Sequence, residues 1–213
     1  MEFMQSLFPI LAAVAGYLVG SLSFAVIVSR VMGLDDPRTF GSKNPGATNV
    51  LRSGSKAAAV VTLLLDAFKG WLPVVLVKWF GEPYGLAEGT VAMVGLAAFL
   101  GHLFPVFFRF VGGKGVATAL GVLLGLSGWL GLATGAVWLL AALVWRYSSL
   151  SSLLASLLAP VLYLMGGDSL WVMDKSIVVA IAAMSAMLLW RHAENIGRLL
   201  KGTESKLGAK KAT

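Results

Sequence analysis

Three short stretches of the chain carry residue types that suit anion chemistry. The first is Arg109-Phe110-Val111-Gly112-Gly113-Lys114-Gly115, which opens into Val116-Ala117-Thr118. Three glycines in four positions clear side chains from the backbone, so N–H groups can close on a ligand. Lys114 stands among them, and the helix predicted to start directly afterwards turns its positive end to the same loop. That combination suits a phosphate. It is not a Walker A loop, because Gly115 follows Lys114 where Ser or Thr is needed. Taken alone, the stretch is more simply a glycine-softened turn with one lysine. A second loop of the same character shifts the balance.

That second loop is Gly41-Ser42-Lys43-Asn44-Pro45-Gly46-Ala47-Thr48-Asn49-Val50-Leu51-Arg52. Ser42, Asn44, Thr48, Asn49 and Arg52 are short donors and a guanidinium suited to phosphate oxygens or sugar-like hydroxyls. The plainer alternative is a turn leading into a short interfacial helix capped by Thr48 or Asn49. The third stretch, Arg191-His192-Ala193-Glu194-Asn195, follows an apolar segment directly. On a continuing helix Arg191 lies one turn from Glu194 and Asn195; a basic flank at a membrane edge is the competing reading. Asp66 and Lys69 sit three residues apart within an apolar helix. A charge at mid-membrane costs roughly 2.5–3.5 kcal/mol, so the two are expected to face the protein interior and pair, with ligand contact by Lys69 the second possibility.

The elements that must position these residues are membrane helices. Of 213 residues, 58% are hydrophobic and 13% charged, about half the charge of a soluble domain, roughly 25%. There is no cysteine and there are two histidines, so neither a disulfide framework nor a histidine metal centre is expected. The net charge of +7 does not indicate nucleic acid, because the basic residues cluster at segment ends. Apolar segments predict helices over about 7–31, 56–78, 88–108, 149–166 and 175–190. The uncharged run from Gly115 to Trp145 would be about 46 Å long as one helix, too long for a hydrocarbon core of about 30 Å, so it is split at Ser127-Gly128. Seven spans then place Arg30, Arg52, Arg109, Lys114, Arg146, Arg191 and Arg198 on one side, and only Lys78 and Lys175 on the other. The positive-inside rule makes the first side cytoplasmic. The expectation is an all-α integral membrane protein of about seven transmembrane helices, some short or re-entrant, with the N-terminus outside and the C-terminus cytoplasmic. Residues 1–200 form a single polytopic domain, and 201–213 a basic, disordered tail.

Together with Gly101-His102, the three stretches resemble the motifs of the bacterial acyl-phosphate:glycerol-3-phosphate acyltransferases (the PlsY family), in order and spacing over nearly the whole chain. Lys43 departs from the pattern, standing where the family often has glycine. The resemblance implies an enzyme of the bacterial inner membrane, with its site on the cytoplasmic face. It would move an acyl group from acyl phosphate to the sn-1 hydroxyl of glycerol 3-phosphate, giving lysophosphatidic acid and inorganic phosphate, without metal or cofactor. Its partners would be those two substrates, the lipid bilayer and the soluble enzyme that makes acyl phosphate. Two phosphate-bearing substrates account for two anion-type loops, and the acyl chain for a site among membrane helices.

On this reading Gly112 and Gly113 N–H groups, with Ser42, Asn44 and Thr48, hold the acyl phosphate. Lys114 bridges both phosphates and offsets charge in the tetrahedral intermediate. Arg52, His192 and Asn195 position glycerol 3-phosphate, while Asn49 and Lys69 complete the binding set. The base is either His192 or an oxygen of the donor's own phosphate. A membrane transporter of phosphorylated metabolites is the rival from another class, but no inverted repeat is evident and the basic groups gather at one face instead of the midplane.

Overall fold

The computed structural model of the protein describes residues 2–208, with side chains from residue 7 onward. Among these residues the chain forms ten α-helices, two single 3-10 turns and no strand, only an isolated bridge between Gly167 and Trp171. The helices are α1 (Glu2–Gly20), α2 (Phe24–Val31), α3 (Ala47–Leu51), α4 (Lys56–Phe80) and α5 (Glu88–Leu103), followed by α6 (Val116–Leu126), α7 (Gly128–Trp145), α8 (Ser148–Gly166), α9 (Lys175–Arg191) and α10 (Ala193–Leu200).

Two closely packed pairs, α1 with α5 and α4 with α6, build the framework. Both depend on glycine at the crossing. A Cβ on Gly101 would strike Tyr17 O, and one on Gly121 would strike Ala67 O. Small residues let membrane helices approach backbone to backbone, which is where dispersion and close packing replace a missing hydrophobic driving force. The main core lies between α4, α5, α6, α8 and α9, around Val74, Phe99, Leu123, Tyr163, Ile181 and Met184.

The expected break in the long uncharged run is present. Ser127 is extended (φ −154°, ψ 129°), ending α6 and starting α7. Three other expectations change. The first segment, expected as one helix over 7–31, is two helices bent by 40° around residues 21–23. Lys69 Nζ donates to the Leu22 carbonyl inside that bend at 2.6 Å, satisfying an acceptor the helix no longer uses. The third segment stops at Leu103 instead of Phe108, because Pro105 lacks an N–H and restricts the residue before it; a 3-10 turn, Val106–Phe108, follows. The segment after Arg191 does not continue α9. It bends by 57° at His192 into α10.

Four helices are long and apolar enough to cross a membrane, or six if each bent pair counts as one crossing. The eleven-residue α6 is about 16 Å long at the usual helical rise.

Candidate active site

At one end of the bundle the three polar stretches meet around a cavity of about 1000 Å³. Its mouth is formed by the loop before α3, the loop before α6, the bend between α9 and α10, and residues 204–208. Its walls run down between α6, α7, α8 and α9 to apolar residues such as Leu123, Ala159 and Ile181.

The loop before α6 turns back sharply on itself. Arg109 and Phe110 both adopt left-handed backbone (φ 56° and 60°), and the Phe110 N–H donates to Pro105 O at 2.9 Å. The chain then returns against the end of α5, where Gly113 N–H donates to His102 O at 3.2 Å. The glycines are required by contact. A Cβ on Gly112 would meet the carbonyls of His102 and Leu103, and one on Gly113 would meet the His102 ring nitrogen Nε2 and Pro45 O. Arg191, at the end of α9, donates to Gly112 O (3.0 Å) and Gly113 O (3.1 and 3.2 Å).

This geometry alters which amides can receive an anion. Gly113 N–H is spent on His102, and Gly113 does not line the cavity. The cavity-lining groups without a main-chain acceptor are the N–H of Gly112 and those of Lys114, Gly115, Val116 and Ala117 at the start of α6. All five residues line the cavity. A helix leaves its first N–H groups unsatisfied and carries partial positive charge there, so the amides open to an anion are that of Gly112 and those at the start of α6, with Gly113 excluded.

Lys114 is half-buried and reaches into the mouth, where its Nζ donates to Asn195 Oδ1. Burial is the main reason its ammonium is pushed down to about 8; the Glu204 carboxylate opposes that, and the Arg198 guanidinium reinforces it. Asn195 is oriented from its other end, with Nδ2 donating to Glu204 Oε1 at 2.6 Å. A carboxylate only accepts, so the amide must present its oxygen to Lys114. Glu204 also accepts from Ser149 Oγ (2.6 Å) and Arg198 Nε (2.7 Å). Burial pushes the Glu204 carboxyl up, but the three hydrogen bonds outweigh it and hold it below its ordinary value.

His192 is buried at the α9–α10 bend, and its Nδ1 lies 2.8 Å from Leu188 O. A carbonyl cannot donate, so Nδ1 carries the hydrogen and Nε2 keeps the lone pair. Burial first, and the neighbouring Lys114 second, push the ring down to about 4, so His192 is neutral near pH 7.

Of the residues singled out in the first loop, Ser42, Asn44, Thr48, Asn49 and Arg52 all line the cavity. Their states differ. Ser42 is exposed, and its hydroxyl makes no hydrogen bond among the described residues. Thr48 Oγ1 lies 3.2 Å from Ser148 Oγ, tying this loop to the start of α8. Arg52 is exposed and donates to Ser205 Oγ at 3.0 Å. Asn49 is buried and its side chain is fully used in shaping the loop: it donates to Pro37 O and Phe40 O and accepts from Ser42 N–H. Its amide therefore organises the loop and is not free for a ligand.

Lys69 is the expectation the geometry overturns as a ligand contact. It is 2% exposed, absent from the cavity lining, and bonded to Asp66 Oδ1 (2.7 Å) and Leu22 O. Pairing inside the protein, the first of its two readings, is what the structure contains. Asp66 and His102 do line the cavity, 3.6 Å apart, and Thr118 Oγ1 lies 3.1 Å from His102 Nδ1. This buried group braces the loop from beneath.

Sequence reasoning passed over Glu204 and the clasp made by Arg191. Glu204 lies in a stretch expected to be disordered. Residues 203–208 instead cross the mouth, where Leu207 N–H donates to Arg146 O at 2.6 Å. The remaining residues of that tail, 209–213, lie outside the described part of the chain. A lone carboxylate in a basic tail was the available signal.

Residues 10–202 match the family described as glycerol-3-phosphate acyltransferase. A protein of that name from Albidiferax ferrireducens is 68% identical over all of this chain and 95% of its own length. Another, from Janthinobacterium sp. (strain Marseille), is 60% identical over 95% of this chain and 98% of its own. The fold is similar to crystal structures of PlsY, an integral membrane glycerol 3-phosphate acyltransferase. The TM-score is 0.84 to the glycerol 3-phosphate form and 0.83 to the lysophosphatidic acid form, each at 38% identity over 94% of this chain and 96% and 95% of the respective PlsY chain. The chain is an integral membrane protein of the glycerol-3-phosphate acyltransferase family.

Proposed function

We propose that the cavity transfers an acyl group from acyl phosphate to the sn-1 hydroxyl of glycerol 3-phosphate, releasing inorganic phosphate and lysophosphatidic acid, the first step of phospholipid synthesis. The observation that carries this reading is the continuity of one cavity. It joins a cationic mouth, with Lys114 and unused helix-end amides, to an apolar interior among membrane helices. A phosphate-headed acyl chain is the molecule that needs both.

In this reading the N–H groups of Gly112 and residues 114–117, with Ser42 and Asn44, hold the phosphate of the donor. Arg52, with Thr48 beside it, takes the phosphate of the acceptor, and Asn195 and His192 Nε2 orient its hydroxyl. Lys114, held by Asn195, stands between the two phosphates and stabilises the oxyanion as the hydroxyl oxygen adds to the acyl carbon. The acyl carbon's bond to the phosphate oxygen then breaks. A ring with a pKa of about 4 is a weak proton acceptor near neutral pH. His192 therefore aligns the hydroxyl, and its proton leaves with the departing phosphate. Positioning and electrostatics supply the acceleration, because acyl phosphate is already activated.

The same reading places the mouth on the cytoplasmic side of a bacterial inner membrane. The chain then crosses seven times, N-terminus outside, with α6 as a short crossing. Support comes from the sign of the flanks: Arg30, Arg52, Arg109, Arg146 and Arg198 border the mouth end, and only Lys78 and Lys175 the other. Acyl phosphate would be delivered by the soluble enzyme that makes it.

The test is phosphate release by detergent-purified protein given palmitoyl phosphate, with and without glycerol 3-phosphate. Release that requires glycerol 3-phosphate and disappears in Lys114→Ala is expected. Folded protein that releases none would refute the assignment.

A further inference from the structure

The same cavity also has a measurable depth and a closed end. Three helices that border it fix its depth independently. Ala159 lies 11 residues along α8 from Ser148, Ile181 lies 11 residues before His192 on α9, and Thr134 lies 12 residues before Arg146 on α7. At the usual rise per residue these separations are about 16, 16 and 18 Å. All three deep residues line the cavity, and all three starting residues lie at or beside its mouth. The hydrocarbon of one membrane leaflet, half of a core about 30 Å thick, is about 15 Å. The pocket is therefore as deep as a membrane-lipid chain is long.

Beneath that level, on the α8 side, the space is filled by packed aromatic rings. Tyr163, one turn beyond Ala159 on α8, is 3% exposed and stacks on Trp171 with ring centroids 5.7 Å apart. Its main chain and its hydroxyl are both engaged: Trp171 Nε1 donates to Tyr163 O at 3.0 Å, and the Asp174 N–H donates to Tyr163 Oη at 3.1 Å. Leu130 and Ile177 fill the space alongside, both fully or almost fully buried. A ring held at both ends does not swing away to admit further methylenes, and overpacking a filled interior is costly.

We infer that this floor is a ruler for the acyl chain, with Ala159 as its principal specificity-determining residue and Ile181 opposite it. The substrate class follows: acyl phosphates whose chains reach about one leaflet, with longer chains excluded by the Tyr163–Trp171 plug. Ala159 contributes only a methyl group at the point where the chain must end. A larger side chain there fills the bottom of the pocket and leaves the mouth chemistry in place. This inference rests on the acyltransferase reading above.

The test compares kcat/KM for hexadecanoyl and decanoyl phosphate, each with saturating glycerol 3-phosphate, in the wild type and in Ala159→Phe. Discrimination on hydrocarbon length in an apolar pocket is modest per methylene but accumulates, so the hexadecanoyl-to-decanoyl ratio is expected to fall about tenfold or more. The decanoyl reaction should still proceed. Ile181→Phe, placed on another helix, is expected to shift the ratio in the same direction and serves if Ala159→Phe does not fold. A ratio unchanged in folded variants, or an equal loss with both donors, would overturn the ruler while leaving the transferase standing. Absence of turnover by the wild type with either donor would instead remove the transferase reading itself.

Discussion

Arg191 donates to the carbonyl oxygens of both Gly112 and Gly113, at 3.0 to 3.2 Å, across 78 and 79 residues of sequence. The end of α9 thus holds the loop that precedes α6 and aims its free amides at the mouth. A guanidinium makes this contact as a planar fork, which an ammonium cannot reproduce. Arg191→Lys is expected to fold and to lose about 10- to 100-fold in kcat/KM, since misplacing a binding loop by an ångström costs on that scale. Steady-state kinetics beside a thermal melt separate the loop effect from general instability; a variant with wild-type kinetics would show that the clasp is dispensable.

Lys114 titrates at about 8 in the unliganded protein. Its charged form is the one that attracts phosphate, so affinity for glycerol 3-phosphate and acyl phosphate should weaken as pH rises through about 8. A bound phosphate dianion favours the ammonium and raises its pKa. Binding above pH 8 must then take up protons, and binding well below it must not. Calorimetric titrations in buffers of different ionisation enthalpy measure this uptake, and Lys114→Ala should abolish it.

The loop glycines and a glycine elsewhere should behave oppositely. Gly113→Ala forces a Cβ into the His102 ring and Pro45 O, whereas a Cβ at Gly128 meets nothing within 4 Å. Gly113→Ala is expected to abolish turnover or folding. Gly128→Ala, at the start of α7, should keep full activity and gain up to about 1 kcal/mol of helix stability. Measuring both in one detergent decides whether close packing, and not glycine content in general, limits the loop.

The buried pair Asp66–Lys69, at 2.7 Å, is shielded from solvent. Removing one partner strands a charge and is expected to cost about 3–5 kcal/mol, while removing both costs far less. Asp66→Asn and Lys69→Met should therefore each lower the melting temperature sharply, and the double variant should recover much of it. Asp66 also lines the cavity beside His102, so stability restored without activity would mark a second role for Asp66 in bracing the loop. Equal stability in all three variants would contradict a structural ion pair.

Glu204 orients Asn195, which in turn orients Lys114. Glu204→Gln replaces the acceptor with an amide that can present a donor to Asn195, so the Asn195 amide loses its fixed orientation. The expected result is a fall in kcat that exceeds any rise in KM for acyl phosphate, read from initial rates at graded donor concentration.

Local chemistry made much of this legible in sequence. The extended break at Ser127, the pairing of Asp66 with Lys69 three residues on, and the gathering of the polar stretches at one end all depend on helical period, span length and charge placement. These are written into neighbouring residues. Ser42, Asn44, Thr48, Arg52, Lys114, His192 and Asn195, which all line the cavity, stand out in sequence as polar residues in or beside short loops at segment ends.

What only the tertiary structure decided are relations between residues far apart in the chain. Gly113 N–H is spent on His102, and the free amides are those of Gly112 and of the residues from Lys114 onward. Asn49 is consumed by its own loop. Arg52 meets Ser205 across 153 residues, and the bends at residues 21–23 and at His192 depend on what packs against them. Composition specifies that an apolar helix will be buried in lipid or protein, but not which neighbour supplies the hydrogen bond or how deep the space between helices runs. Those follow from close packing, where one glycine, one clasping arginine or one plugged tyrosine fixes distances that no short stretch of sequence contains.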